Sequence, residues 1–206
     1  MWPTSISGTT LVLLTLPLLV ACGAGGVREG QEAVSVDARA ARDYAESLVL
    51  LQSGADDPAA KLLHEISTAN PDLAGPLANL ALIEARRDRL DEAARLLAEA
   101  AKVCTRCAPI WNELGVIERR RGQFAAAETA YRAALEADAT LVDARVNLAV
   151  LYELYLQRPE LALEQYVACR DQASDSPLAV DIDKRIADLR RRAKPVERSA
   201  QLEVGS

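Results

Sequence analysis

Aromatic residues are scarce in this chain: Phe, Trp and Tyr make up 4% of its 206 residues. β-branched residues rarely cluster, and no Asn-Gly-type pair separates two apolar alternations, so the sequence argues against strands and hairpins. Histidine is nearly absent. The lone His64, in KLLHEIS, has no neighbour with which to form a base or a ligand set and is assigned to a helix surface. There is no excess of positive charge either, since the net charge is −6, which gives no argument for nucleic acid as a partner. No Gly-rich phosphate loop, paired carboxylate site or Ser-His-Asp set is present, so neither an enzyme, a cofactor nor a metal site is expected. What remains is half apolar and dominated by Ala, Leu, Arg and Glu, the composition of stacked helices.

No apolar run reaches the roughly 20 residues of a bilayer span. The nearest, Ile6 to Val20, is interrupted by Pro17 and ends Leu19-Val20-Ala21-Cys22, followed by Gly23-Ala24-Gly25-Gly26. A short apolar core, small residues and a flexible tract read as a signal peptide over 1–21. Met1 to Thr10 carries no Lys or Arg, a departure from the positive start of an export signal. The four residues Leu19 to Cys22 resemble the lipobox of bacterial lipoproteins. That resemblance implies cleavage before Cys22, a lipid on Cys22 and, with Gly23 following it, an outer-membrane location facing the periplasm. Glycine and charge then mark 22–35 as a tether with a reach of roughly 20 Å.

The strongest signal lies in Ala108 to Ala139, APIWNELGVIERRRGQFAAAETAYRAALEADA. Trp111, Leu114, Gly115, Gly122, Phe124, Ala127, Tyr131 and Ala134 stand at the offsets of a tetratricopeptide repeat, which this stretch resembles. Trp111 and Leu114 give one face of a first helix, Gly122 turns the chain, and Ala127 and Ala134 are small where two helices cross. Steps of 34 residues locate further copies. Leu77, Leu80, Ala81, Asp88, Leu90, Ala93, Leu97 and Ala100 form the preceding one. Ala59, Leu63, Ile66 and Asn70-Pro71 give the second helix of the copy before that. Its first helix fits poorly, with Asp43 and Glu46 at nominally buried places and a register uncertain by one residue. Leu148, Ala149, Tyr152, Ala162, Tyr166 and Cys169 form the last copy after one inserted residue, with Gln157-Arg158-Pro159 as its turn. Leu178, Ile182, Ile186 and Leu189 lie at helical spacing and predict a capping helix, begun by Ser176-Pro177 and ending in a basic stretch. The expectation is an all-α superhelix of about four helix-turn-helix repeats over 36–193, with a disordered tail over 194–206.

Cys104-Thr105-Arg106-Cys107 falls between two repeats. A redox motif needs a thiol activated at a helix N-terminus, whereas Cys104 ends a helix; zinc would need two more ligands; haem attachment would need His where Ala108 stands. A structural disulfide is the preferred reading, because a four-residue turn brings its ends within 7 Å. Cys169 reads as a buried free thiol.

The repeat resemblance implies a concave face that binds extended or helical peptide segments, with groove residues at the fifth, ninth, twelfth and thirteenth positions of each first helix. These are Ala78, Leu82, Ala85 and Arg86 in the second copy, Asn112, Val116, Arg119 and Arg120 in the third, and Val146, Val150, Glu153 and Leu154 in the fourth. Leu82, Val116 and Val150 would form an apolar stripe flanked by arginines, suited to an amphipathic peptide carrying carboxylates. Alternatively the arginines are solvated or paired with Glu84, Glu113 and Glu118. The architecture loosely resembles the tetratricopeptide lipoproteins of type IV pilus biogenesis. By that resemblance the chain is a non-catalytic, pilotin-like adaptor for a protein partner in the envelope. An adaptor for peptidoglycan enzymes or barrel assembly, and a thiol oxidoreductase using Cys104 and Cys107, are the competing readings.

Overall fold

A computed structural model of the chain describes residues 38–172 and 178–193. The helices among them are α1 (Ala38–Gln52), α2 (Asp56–Ala69), α3 (Ala74–Arg86), α4 (Leu90–Val103), α5 (Ala108–Arg120), α6 (Phe124–Ala137), α7 (Val142–Val150), α8 (Pro159–Gln172) and α9 (Leu178–Ala193). A π turn, Leu151–Tyr155, extends α7. Each helix packs against the next in the chain, from α1 on α2 to α8 on α9. The described residues form four helical hairpins and a terminal helix, an all-α tetratricopeptide superhelix as the residue spacing predicts. No helix among them is long and apolar enough to cross a membrane.

The repeat is visible residue by residue. Ala59, Ala93, Ala127 and Ala162 are fully buried where the two helices of each hairpin cross. Leu63, Leu97, Tyr131 and Tyr166 fill the space beside them, and Ile66, Ala100, Ala134 and Cys169 close it one turn later. Small residues are needed opposite, at Ser47, Ala81, Gly115 and Ala149, all buried. The hairpin turns share one device. Gly54, Asp88, Gly122 and Gln157 all take positive φ, the left-handed residue that ends a helix. The following N–H then reaches back to the helix: Ala55 to the Leu50 carbonyl, Arg89 to Glu84 and Gln123 to Glu118, each at 2.9 Å.

Asp43 and Glu46, which made the first repeat look misregistered, sit on α1 in the same 34-residue frame as the other copies. Its turn, its buried Ser47 and the start of α2 all fall in step. No described helix precedes α1, so the places that Trp111 and Leu114 occupy against α4 need no apolar residue here. Glu46 is accordingly exposed.

The inserted residue of the fourth copy is absorbed by the π turn, where the Leu156 N–H bonds the Leu151 carbonyl at 3.0 Å. The closing bond of that hairpin therefore runs from Arg158 back to Tyr152, one residue farther than in the other three. The extra residue falls within the π turn: Tyr152 accepts the closing bond as Glu84 and Glu118 do, and Glu153 meets the Tyr166 hydroxyl as Arg119 meets that of Tyr131.

Helix α9 buries Ile182, Ile186 and Leu189, as its spacing predicts, against the cluster that holds Tyr152, Tyr166 and Cys169. The segment 1–21, Cys22, the rest of 22–35, Ser176-Pro177 and the 194–206 tail lie outside the described residues.

Candidate partner-binding face

The first helices α1, α3, α5 and α7 form one row, joined directly by side chains. Asn79 donates to the Tyr44 hydroxyl at 2.7 Å, and Asn147 to the side-chain carbonyl oxygen of Asn112 at 3.0 Å. In both cases the sixth position of one 34-residue copy reaches back to the fifth position of the copy before it. α5 and α7 also approach each other directly, and a stack whose first helices are held close curves toward that row.

Along the row runs an apolar line at the ninth position, Leu48, Leu82, Val116 and Val150. Leu48, Val116 and Val150 are half-buried, and Leu82 is 38% exposed. Leu154 and Tyr155 extend it at one end and are 56% and 40% exposed. Val146 and Ala78 flank it half-buried, and Asn112 is buried.

The arginines expected to line this face are engaged within the stack. Arg86 bonds the Asp56 carboxylate at 2.7 Å and the Leu51 carbonyl at 3.5 Å. Arg120 repeats the pattern one step on, with the Ala85 carbonyl at 3.4 Å and Asp88 at 3.2 Å. Their neighbours Arg87 and Arg121 pair with Asp57 and Asp91. Each set ties the end of a first helix to the preceding hairpin. Arg119 donates to the hydroxyls of Tyr131 at 3.4 Å and Tyr155 at 3.2 Å, with its guanidinium 5.6 Å from the Tyr155 ring centroid. The acids that spacing offered as partners behave differently. Glu84 pairs with Arg87 and Arg89, and Glu118 with Arg121, but no ion pair reaches Glu113 among the described residues.

Glu113 occupies the sixth position of α5, where Asn79 and Asn147 make their reach-back bonds. The residue it would reach is Ala78, which offers no polar atom. Its one side-chain hydrogen bond is accepted from Asn112, at 3.4 Å. Glu113 is exposed, yet it stands inside the row of first helices. Crowding by protein pushes its carboxyl above the usual carboxylate range; the Asn112 bond partly offsets this, and the charge of Asp143 adds to it. The fifth-to-sixth ladder and Glu113 were absent from the expected site, although counting one further position in each copy would have found them.

Glu153, expected in the groove, is covered instead. Its side chain is 8% exposed and takes Arg185 at 2.9 Å, Arg192 at 3.0 Å and the Tyr166 hydroxyl at 3.0 Å. The basic face of α9 therefore closes on the last hairpin. The sulfur atoms of Cys104 and Cys107 stand at disulfide distance across a turn whose Cα atoms are 5.4 Å apart. Cys104 caps the end of α4 and Cys107 the start of α5, and the Trp111 indole donates to the Thr105 carbonyl between them at 2.9 Å. Cys169 is free and buried, and burial raises its thiol pKa, which disfavours the reactive thiolate.

No protein-family model matches the chain, and no curated protein matches it in sequence. Solved structures do. The chain is similar to pilF of Pseudomonas aeruginosa, with a TM-score of 0.65, 19% identity, and 74% of this chain and 68% of that one covered. It is similar to TTC0263, a TPR protein of Thermus thermophilus, with a TM-score of 0.59, 24% identity, and 74% and 81% covered. It is also similar to YrrB, a TPR protein with an unusual peptide-binding site, with a TM-score of 0.60, 21% identity, and 70% and 74% covered. The fold is that of tetratricopeptide-repeat proteins.

Proposed function

We propose that this chain is a non-catalytic protein-interaction scaffold, held at the periplasmic side of the outer membrane by lipid on Cys22, and that a partner polypeptide lies in the groove formed by its first helices. The observation that carries the reading is the apolar line Leu48, Leu82, Val116 and Val150. It runs the length of the row with no described helix of the chain laid across it, a pattern that suits an amphipathic or extended segment. Likeness to YrrB, a TPR protein with a peptide-binding site, and to pilF supports it. Together with the sequence resemblance to type IV pilus lipoproteins, it favours a pilotin-like adaptor working on pilus or secretion machinery. The groove includes Leu82, Val116, Val146 and Val150, with Asn112 at its floor and Arg86, Arg119 and Arg120 along one edge.

The test has two arms. Leu82→Glu places a charge on an already exposed position, so helicity and melting should stay unchanged while capture of a co-expressed secretin falls at least tenfold. Undiminished capture by the folded variant would move the site off this face, and capture of murein hydrolases instead of a secretin would change the machine. For the anchor, Cys22→Ala should release the protein from membranes into the soluble periplasmic fraction. Membrane retention equal to wild type would overturn it.

A further inference from the structure

Resting on the groove reading above, we infer that the groove selects a partner segment carrying a cationic group, a Lys or Arg side chain, which seats against Glu113 beside the apolar line. The charges of this face are of two kinds. Its arginines form one edge, and each already donates within the chain: Arg86 to Asp56 and the Leu51 carbonyl, Arg120 to Asp88 and the Ala85 carbonyl, Arg119 to two tyrosine hydroxyls. A carboxylate ligand would meet guanidinium groups already engaged in holding one hairpin on the next. Glu113, by contrast, accepts a single long bond from a neutral amide.

No local reason accounts for an acid at Glu113. It is the sixth residue of α5, beyond the first turn where the helix dipole favours negative charge. It joins no ion pair with the residues three or four positions away. The two homologous places on α3 and α7 hold asparagines that knit the row together. Here the partner position is Ala78, so the knitting is given up and the Glu113 carboxylate keeps only the bond from Asn112. A cation arriving there replaces thinned water with a charge-assisted hydrogen bond, while its aliphatic stem lies on Leu82 and Val116.

The groups that share this space set the pH response. Asp143 on α7 adds negative charge, Asn112 is a neutral donor, and Tyr131 on α6 is a neutral phenol whose pKa burial raises further. Binding should therefore strengthen as the Glu113 carboxyl ionises and weaken below that range.

The experiment is selection of a random dodecapeptide phage library on the purified full chain, run in parallel on Glu113→Gln, followed by anisotropy with the fluorescent consensus peptide. On the wild type the expected consensus has one Lys or Arg flanked by apolar residues; on the variant the apolar residues persist and the basic preference disappears. The wild-type consensus peptide should bind Glu113→Gln at least tenfold more weakly and lose that difference at pH 4. An acidic consensus, or a basic preference unchanged in the variant, would overturn the inference while leaving the groove in place. Absence of any consensus on either protein, or a consensus peptide indifferent to Leu82→Glu, would overturn the groove reading itself.

Discussion

Gly115 is where one atom decides the packing of the central hairpin. A Cβ built there would stand 2.5 Å from Cε1 of Tyr131, inside a buried ring edge that cannot retreat. Gly115→Ala should therefore destabilise by about 1–3 kcal/mol, a melting-temperature fall of several degrees. The second copy supplies the remedy, because Ala81 and Leu97 fill the same two places. Gly115→Ala with Tyr131→Leu should recover part of the loss, measured as a double-mutant cycle by thermal denaturation. Additive losses would mean that the glycine serves something other than the tyrosine. At the same scale stands the turn between α4 and α5. Its Cα separation of 5.4 Å lies within ordinary disulfide range, and a loop this short restrains the unfolded chain by only about 2 kcal/mol. Reduction, or Cys104→Ser with Cys107→Ser, should lower the melting temperature by a few degrees and leave partner capture intact. Thiol labelling that finds both sulfurs free in protein purified without reductant would count against a bond.

Among the elements, the π turn is the one whose consequence reaches farthest. Glu153, within the turn Leu151–Tyr155, lies under α9, where Arg185, Arg192 and Tyr166 converge on it. Charge-assisted bonds to a largely buried carboxylate exceed ordinary surface pairs, but both arginines are themselves about half exposed, so water would take back much of what is lost. Glu153→Gln should then loosen α9 without unfolding the stack. Amide exchange across 178–193 is expected to accelerate at least tenfold while α3 to α6 keep their protection. Equal protection in the variant would mean that apolar contacts alone hold the helix. The sequence already showed that one residue was inserted. It did not show where, because a π turn forms wherever the surrounding packing tolerates the bulge.

For the whole molecule, stability is passed from neighbour to neighbour, as expected of a stack whose contacts are almost all between consecutive helices. Helix α9 is the cap that ends it. Ending the chain at Gln172 would remove Ile182, Ile186 and Leu189, all nearly fully buried, and uncover the apolar face of the last hairpin. At about 1.5–3 kcal/mol per buried side chain, the loss for these three should be roughly 5–9 kcal/mol. Light scattering should show self-association of the truncated chain, and its melting should begin in the fourth hairpin. A monomer with unchanged melting would make α9 an appendage rather than a cap.

The repeat was legible in the sequence at the positions where geometry leaves few choices. Alanine or an equally small residue where helices cross, a bulky residue beside it, and a left-handed turn residue every 34 positions are local demands, and Ala93, Ala127, Tyr131 and Gly122 meet them without reference to the rest of the chain. The poor first copy was legible too, once it is seen that Asp43 and Glu46 need no apolar character where no described helix precedes α1. What spacing could not foretell was who meets whom across hairpins. Periodicity places Arg86 and Arg120 at a helix end facing the groove edge, but whether they point to a ligand or to Asp56 and Asp88 depends on the rise and rotation from one hairpin to the next. Those are set by the sum of many side-chain contacts and by no single motif. The same rotation pairs Asn79 with Tyr44 and Asn147 with Asn112, and leaves Glu113 opposite Ala78. The sequence by itself determined the repeat, its buried frame and its turns, because these follow from contacts within one hairpin. Only the tertiary structure decided which charges of the groove are satisfied, because that follows from how rigid hairpins stack.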